Sequence, residues 1–125
     1  RDNAAAIEDV ETADLEDAEV VIVSYGITSR VAARARELAQ ARGIRVGWLR
    51  LRTVWPFPEE RVRQIAKSVG ALVVPEINMG QICLEVERCA GRHARVISVT
   101  HAGGAVITPE TIARAVDEAS GEVRR

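Results

Sequence analysis

Aromatic residues are almost missing from this chain: Tyr25, Trp48, Trp55 and Phe57 are the whole set among 125 residues. A ring-filled core is therefore excluded, and the interior has to be built from aliphatic side chains. Lysine is scarcer still, Lys67 standing alone among arginines. The clustered Arg30, Arg34 and Arg36, followed by Arg42, Arg45, Arg50 and Arg52, thus read as a bias toward arginine on solvated faces. A nucleic-acid footprint would want a basic stripe with aromatics interleaved, so nucleic acid is not an expected partner. Two cysteines exclude a disulfide scaffold and point to a reducing cytoplasm. No apolar run approaches the roughly 18 residues of a membrane span, and no signal-peptide pattern opens the chain, so a membrane is not an expected partner either.

What is present suits one domain. The hydrophobic fraction is 47% and the charged fraction 28%, ordinary values for a globular fold of this length. The net charge of −1 hides an asymmetry, because the first nineteen residues carry eight carboxylates against Arg1. Residues 1–18 read as an acidic linker, or as an edge strand or short helix near Ile7 to Glu11, returning from an upstream domain. The domain proper is expected over residues 19–121, with a tail at 122–125. An opening on Arg1 without an initiator Met suggests a piece of something longer.

From Val20 the pattern sharpens. Val20-Val21-Ile22-Val23 is the continuous β-branched run of a strand buried on both faces, ending at Tyr25-Gly26. Thr28 or Ser29 can cap a following helix, which carries Val31, Ala35, Leu38 and Ala39 on one side and stops at Gly43. Ile44 to Leu49 reads as the next strand, completing a βαβ unit. Two further rounds follow. Pro58-Glu59-Glu60 opens a helix with the buried stripe Val62, Ile65, Ala66 and Val69, then Ala71 to Val74 forms a strand. Gly80 to Ala90 is a helix, Ala94 to Val99 a strand, and Thr108-Pro109-Glu110 starts a last helix that Gly121 should end. The result is an α/β fold: a three-layer α/β/α sandwich with a mainly parallel sheet of four to five strands, the acidic start being available as an antiparallel edge.

Ligands of open α/β sheets bind outside the carboxyl ends of the strands. In the first such loop, Gly26, Thr28 and Ser29 offer either a possible anion-binding turn or a plain capped turn. It is neither a Walker loop nor a dinucleotide loop. Glu76 could serve in acid–base work, but it has no recognisable nucleophile or second acid beside it. Cys83 and Cys89 are six apart, and with His93 and His101 they are too few for a metal or iron–sulfur site. No catalytic, cofactor-binding or metal-ligating residue is assigned. Trp55-Pro56-Phe57-Pro58 stands out instead, a stiff apolar loop suited to covering the sheet end or contacting another domain.

These segments together resemble a known family. Val21-Ile22-Val23-Ser24-Tyr25-Gly26, Gly47 through Pro58, Pro75-Glu76-Ile77-Asn78-Met79-Gly80-Gln81 and Gly103-Gly104 through Glu110 are similar to the alpha subunit of 2-oxoacid:ferredoxin oxidoreductases, most of all the 2-oxoglutarate enzymes. The likeness spans about residues 18–119, and Trp-Pro-Phe-Pro and Asn-Met-Gly-Gln are its specific pieces. It implies a transketolase C-terminal-like domain with five strands, one antiparallel. It also implies that the whole enzyme uses thiamine diphosphate, magnesium, iron–sulfur clusters and coenzyme A to convert a 2-oxoacid to an acyl-CoA and CO2 while reducing ferredoxin. The chain lacks the Gly-Asp-Gly…Asn-Asn cofactor motif, so this piece is expected to bind none of these cofactors and to serve assembly and active-site shaping. Its expected partners are the remaining domains of the alpha subunit and the beta subunit. Trp55, Pro56, Phe57, Asn78, Met79, Gln81 and His101 are the interface or loop candidates. The alternatives are the equivalent domain of a thiamine-dependent dehydrogenase or transketolase, and a free-standing anion-binding regulatory module.

Overall fold

A computed structural model describes residues 10–26, 28–52, 57–76, 81–100 and 107–124. Their order is β1 (Val10–Ala13), β2 (Val20–Tyr25), α1 (Thr28–Ala41), β3 (Val46–Leu51), α2 (Glu59–Ser68), β4 (Ala71–Pro75), α3 (Gln81–Ala90), β5 (Arg95–Val99) and α4 (Pro109–Arg124). The five strands form one sheet in the order β1-β3-β2-β4-β5. The β2–β3, β2–β4 and β4–β5 pairs are parallel, and β1 alone runs antiparallel, against β3.

Connection direction places the helices. The chain moves from β2 outward to β3, then back across β2 to β4 and on to β5. Right-handed crossovers in opposite directions must put their helices on opposite faces. Accordingly α1 lies on one face, and α2 and α3 on the other. The last helix, α4, returns to the α1 face. Side-chain alternation along the strands feeds both layers. Val20, Ile22, Ala71 and Val73 pack with Ala32, Ala35, Ala39, Ile112 and Val116. Val21, Val23, Leu72 and Val74 pack with Val62, Ile65, Ala66, Val86 and Cys89. The continuous β-branched runs of β2 and β4 are thus explained: every position faces one hydrophobic layer or the other, each buried aliphatic contributing about 1.5–3 kcal/mol.

One open alternative is resolved, and two details differ from the expectations. The acidic start supplies an edge strand at Val10–Ala13, with Glu11 opposite Arg50 in register. The third strand begins at Val46, two residues later than Ile44. Ile44 is occupied in closing α1: its N–H donates to Ala39 O (3.2 Å) while the N–H of Gly43 (φ +84°) donates to Gln40 O (2.9 Å). This paired cap satisfies two orphan carbonyls, and the glycine adopts the left-handed conformation it requires. The last helix runs past Gly121 to Arg124. Glycine weakens a helix by about 1 kcal/mol but does not stop one unless it turns left-handed, and Gly121 does not.

At the amino ends of the strands, buried Glu19 joins four elements. Its N–H donates to Arg45 O (2.7 Å) and its carbonyl accepts from Gly70 N (3.0 Å). One carboxylate oxygen accepts from Arg45 N (3.0 Å) and the other from the Ser120 hydroxyl on α4 (3.0 Å). This end of the sheet is a structural knot, which leaves the opposite end for a ligand.

Candidate functional site

The parallel strands deliver their carboxyl ends to one rim, and the strand order reverses between β2 and β4. That reversal is where open α/β sheets place ligands. At the end of β2, the Thr28 hydroxyl donates to Tyr25 O (2.7 Å) and Ser29 N–H donates to Gly26 O (3.0 Å). The Ser29 hydroxyl shares a hydrogen bond with buried Ser24 (2.9 Å), whose oxygen also accepts from Trp48 Nε1 (2.8 Å). Both Thr28 and Ser29 are buried, with their hydroxyls engaged within the protein. Trp48 is sandwiched further by Arg36, whose guanidinium sits 5.4 Å from the ring centroid and ion-pairs with Asp14 (3.3 Å).

Beside this turn opens a cavity of about 550 Å3 lined by Gly26, Arg30, Val31 and Arg50. Arg50 follows Trp48 on the α1 side of β3, and Arg30 lies in the first turn of α1. Arg50 and Arg52 both contact one oxygen of Glu11, each at 3.2 Å. These arginines had read as part of a solvated bias. Arg30 comes from α1, and Arg50 and Arg52 from the end of β3, and no local motif announces their grouping.

On the other side of the reversal, Glu76 follows β4. It is 4% exposed, and its N–H donates to Val99 O (3.0 Å). One carboxylate oxygen accepts from Ile82 N (2.8 Å) and the carboxyl also bonds Cys83 N–H, so Glu76 caps α3 from five residues upstream. The other oxygen, Oε2, is buried without a hydrogen-bond partner. Burial pushes the carboxyl pKa up, against the lowering effect of the two amides. The folded state therefore favours the protonated form, and this group's contribution to stability falls as pH rises through the raised pKa. We expect Glu76→Gln, which keeps an acceptor for α3 but cannot ionise, to flatten that decline in pH-dependent denaturation curves. Glu76→Ala should cost about 1–2 kcal/mol, since it strips the cap. Equal losses for the two variants would refute the capping role.

Cys83 and Cys89 are free, buried thiols on the inner side of α3. Cys83 lies 3.9 Å from Glu87, and burial pushes both thiols above the usual range. Two buried thiols are too few for the four cysteine ligands of an iron–sulfur cluster. Among the described residues no group of three or more His, Cys, Asp or Glu comes together as a metal site. Phe57 is buried in the core with α2 and α3, packing as interior material. Trp55, Pro56, Asn78, Met79 and His101 lie outside the described residues, as does the side chain of Gln81, which begins α3. His93 is exposed beyond the end of α3, remote in the chain from this rim.

Comparison with known proteins agrees with this architecture. The chain is 42% identical to the 2-oxoglutarate synthase subunit KorA of Methanothermobacter thermautotrophicus over 106 residues, covering 85% of this chain and 28% of that subunit. The chain therefore spans little more than a quarter of that relative's length. The structure of 2-oxoglutarate:ferredoxin oxidoreductase from Magnetococcus marinus with 2-oxoglutarate, coenzyme A and succinyl-CoA bound superposes with a TM-score of 0.79 at 26% identity, over 94% of this chain and 21% of that one. A split-gene transketolase, an inactive beta4 tetramer, shares the fold with a TM-score of 0.72 at 21% identity, over 92% of this chain and 42% of that one. The expected transketolase C-terminal-like sandwich, with its single antiparallel strand, is the observed one. With residues 18–112 also matching that family's own pattern, the chain belongs to the pyruvate:ferredoxin oxidoreductase core domain II family.

Proposed function

We propose that this chain is the second core domain of the alpha subunit of a 2-oxoacid:ferredoxin oxidoreductase whose substrate is 2-oxoglutarate. The observation that carries the reading is the 42% identity to a 2-oxoglutarate synthase subunit across most of this chain. On this reading the whole enzyme decarboxylates the 2-oxoacid on thiamine diphosphate with magnesium, forms an acyl-CoA, and passes electrons through iron–sulfur clusters to ferredoxin. Those groups belong to other domains and to the beta subunit.

The domain's own part is support: it assembles with the rest of the alpha subunit and with the beta subunit, and it shapes the active site. The physical support is that several polar groups at the strand ends are spent on structure. Thr28, Ser29, Ser24 and Trp48 bind one another or the backbone, Glu76 caps α3, and the thiols are buried. Trp55, Pro56, Asn78, Met79, Gln81 and His101 are the proposed contacts to the neighbouring domains, Phe57 anchoring their first loop from within the core. No helix among the described residues is long and apolar enough to cross a membrane. Two buried free thiols suit a reducing compartment, and we place the protein in the cytoplasm.

The test is direct. The purified chain, given 2-oxoglutarate, thiamine diphosphate, magnesium, coenzyme A and ferredoxin, should neither release CO2 nor reduce ferredoxin. It should restore both when combined with the beta subunit and an alpha subunit lacking this segment. Turnover by the chain alone would overturn the supporting role, and failure to restore activity would overturn the enzyme assignment.

A further inference from the structure

We propose that β1 and the turn after it form a releasable strap, an edge that opens from β3 while the four parallel strands and their helices stay folded. On the assignment made above, this strap is the joint by which a preceding domain of the alpha subunit enters this one. The release itself is a property of this chain and stands whether or not that assignment holds.

Three observations converge on it. The first is burial. No residue of Val10–Ala13 is buried, and only Val10, with Leu15 of the turn, packs partly against a core layer. Val20 to Ser24 of β2 and the whole of β4 are buried. Opening the strap therefore gives up one four-residue antiparallel ladder and little apolar contact. The second is a polar latch. Glu11 meets Arg50 and Arg52, each at 3.2 Å, and the Asp14 carboxylate meets Arg36 at 3.3 Å and Gln40 at 2.9 Å. Glu11, Arg50 and Arg52 are between 42 and 50% exposed, so their pairing is weakened by water and screened by salt.

The third is strain, which a permanently closed edge leaves unexplained. Asp14 (φ +55°) and Asp17 (φ +64°) are the non-glycine residues with left-handed backbone among the described ones, and both fall in the turn between β1 and β2. Aspartate tolerates this conformation better than most residues, but it persists only where the surroundings enforce it. The latch enforces it at Asp14, whose carboxylate is held by α1 and whose carbonyl oxygen lies 2.8 Å from where a Cβ on Gly47 would stand. The strained turn favours opening, and the latch and the short ladder favour closure. The opening stops at Ala18 and Glu19. Ala18 is buried, and Glu19 is bonded to Arg45, Gly70 and Ser120.

The test is native-state amide hydrogen exchange of the 125-residue chain, followed by NMR at constant pH over a series of low urea concentrations. Amides bonded between β1 and β3 should exchange about a hundredfold or more faster than those between β2 and β4, and with little dependence on urea, as a local opening requires. Sodium chloride at about 1 M should speed the β1–β3 amides severalfold and leave the β2–β4 amides unchanged. Glu11→Gln combined with Asp14→Asn removes the charges of the latch while keeping a residue that tolerates left-handed backbone. It should speed the β1–β3 amides by about tenfold. Asp17→Gly relieves the strained turn without touching the latch and should slow them severalfold. Equal protection of the two ladders, or exchange of β1–β3 only together with global unfolding, would overturn the proposal. So would salt or latch effects spread evenly over all strands, no effect of the double variant, or faster β1–β3 exchange in Asp17→Gly. None of these readouts uses enzyme activity, so the reconstitution described above can fail without deciding this question.

Discussion

Glu19→Ala is expected to lower the unfolding free energy of this chain by about 3 kcal/mol or more, the largest loss of any single polar substitution discussed. The side chain is 5% exposed and its two oxygens hold groups far apart in sequence: the amide of Arg45 before β3 and the hydroxyl of Ser120 on α4, each at 3.0 Å. Alanine deletes both acceptors and leaves a buried hydroxyl and a part-buried amide without partners. Each such group costs about 1–3 kcal/mol when left bare. Glu19→Gln is the informative companion. Its amide oxygen can still accept from Arg45 N, and its amide nitrogen can donate to Ser120 Oγ, so most of the stability should return. Urea denaturation of wild type, both variants, Ser120→Ala and the double variant Glu19→Ala/Ser120→Ala would measure the coupling. Additive losses in that cycle would show that the Glu19–Ser120 bond does not tie α4 to the sheet.

Gly47→Ala is expected to cost about 1–3 kcal/mol, for a reason visible only in three dimensions. A Cβ built on Gly47 would lie 2.8 Å from Asp14 O and 3.2 Å from Asp14 C, with Leu15 Cδ2 at 3.1 Å. A flexible side chain could step aside, but the Asp14 carbonyl cannot do so cheaply. Asp14 holds a left-handed backbone (φ +55°), and its carboxylate is gripped by Gln40 (2.9 Å) and Arg36 (3.3 Å). The methyl group would therefore force the β1–β2 connection off β3 and loosen the antiparallel edge. Thermal unfolding reads the loss. Amide exchange locates it: faster exchange confined to β1 and β3 is the expected pattern, and uniform acceleration across the sheet would contradict this mechanism.

Much of the fold was legible because burial on two faces writes a distinctive local pattern. Val20 to Val23 and Ala71 to Val74 announce strands covered on both sides, and Pro58-Glu59-Glu60 and Thr108-Pro109-Glu110 announce helix starts. The misjudged details have equally local causes. Ile44 looks like the first residue of a strand, yet its N–H is committed to Ala39 as the helix closes. Gly121 looks like a terminator, yet α4 continues through it in right-handed conformation.

The site was much less legible. Glu76 could be read as a carboxylate after a strand. Its capping of α3 and its orphaned oxygen depend on where that helix begins relative to β4. Gly26, Arg30 and Arg50 come from the end of β2, the first turn of α1 and the end of β3, and only parallel pairing in register brings them to one cavity. Among sixteen arginines, nothing in the local sequence marks Arg30 and Arg50 as different from the rest.

By itself, then, the sequence determined the alternation of strands and helices, the aliphatic character of both core layers and the resemblance to the 2-oxoacid oxidoreductases. Each of these is carried by neighbours along the chain, where side-chain period and turn chemistry act. Only the tertiary structure decided that the acidic start becomes an edge strand, that Phe57 belongs to the core, that Glu19 meets Ser120 across 101 positions, and that three elements enclose one cationic cavity. Contacts of that kind form when closure of the sheet and docking of the helices bring distant segments together. Their energies depend on register and approach distance, which no local pattern encodes.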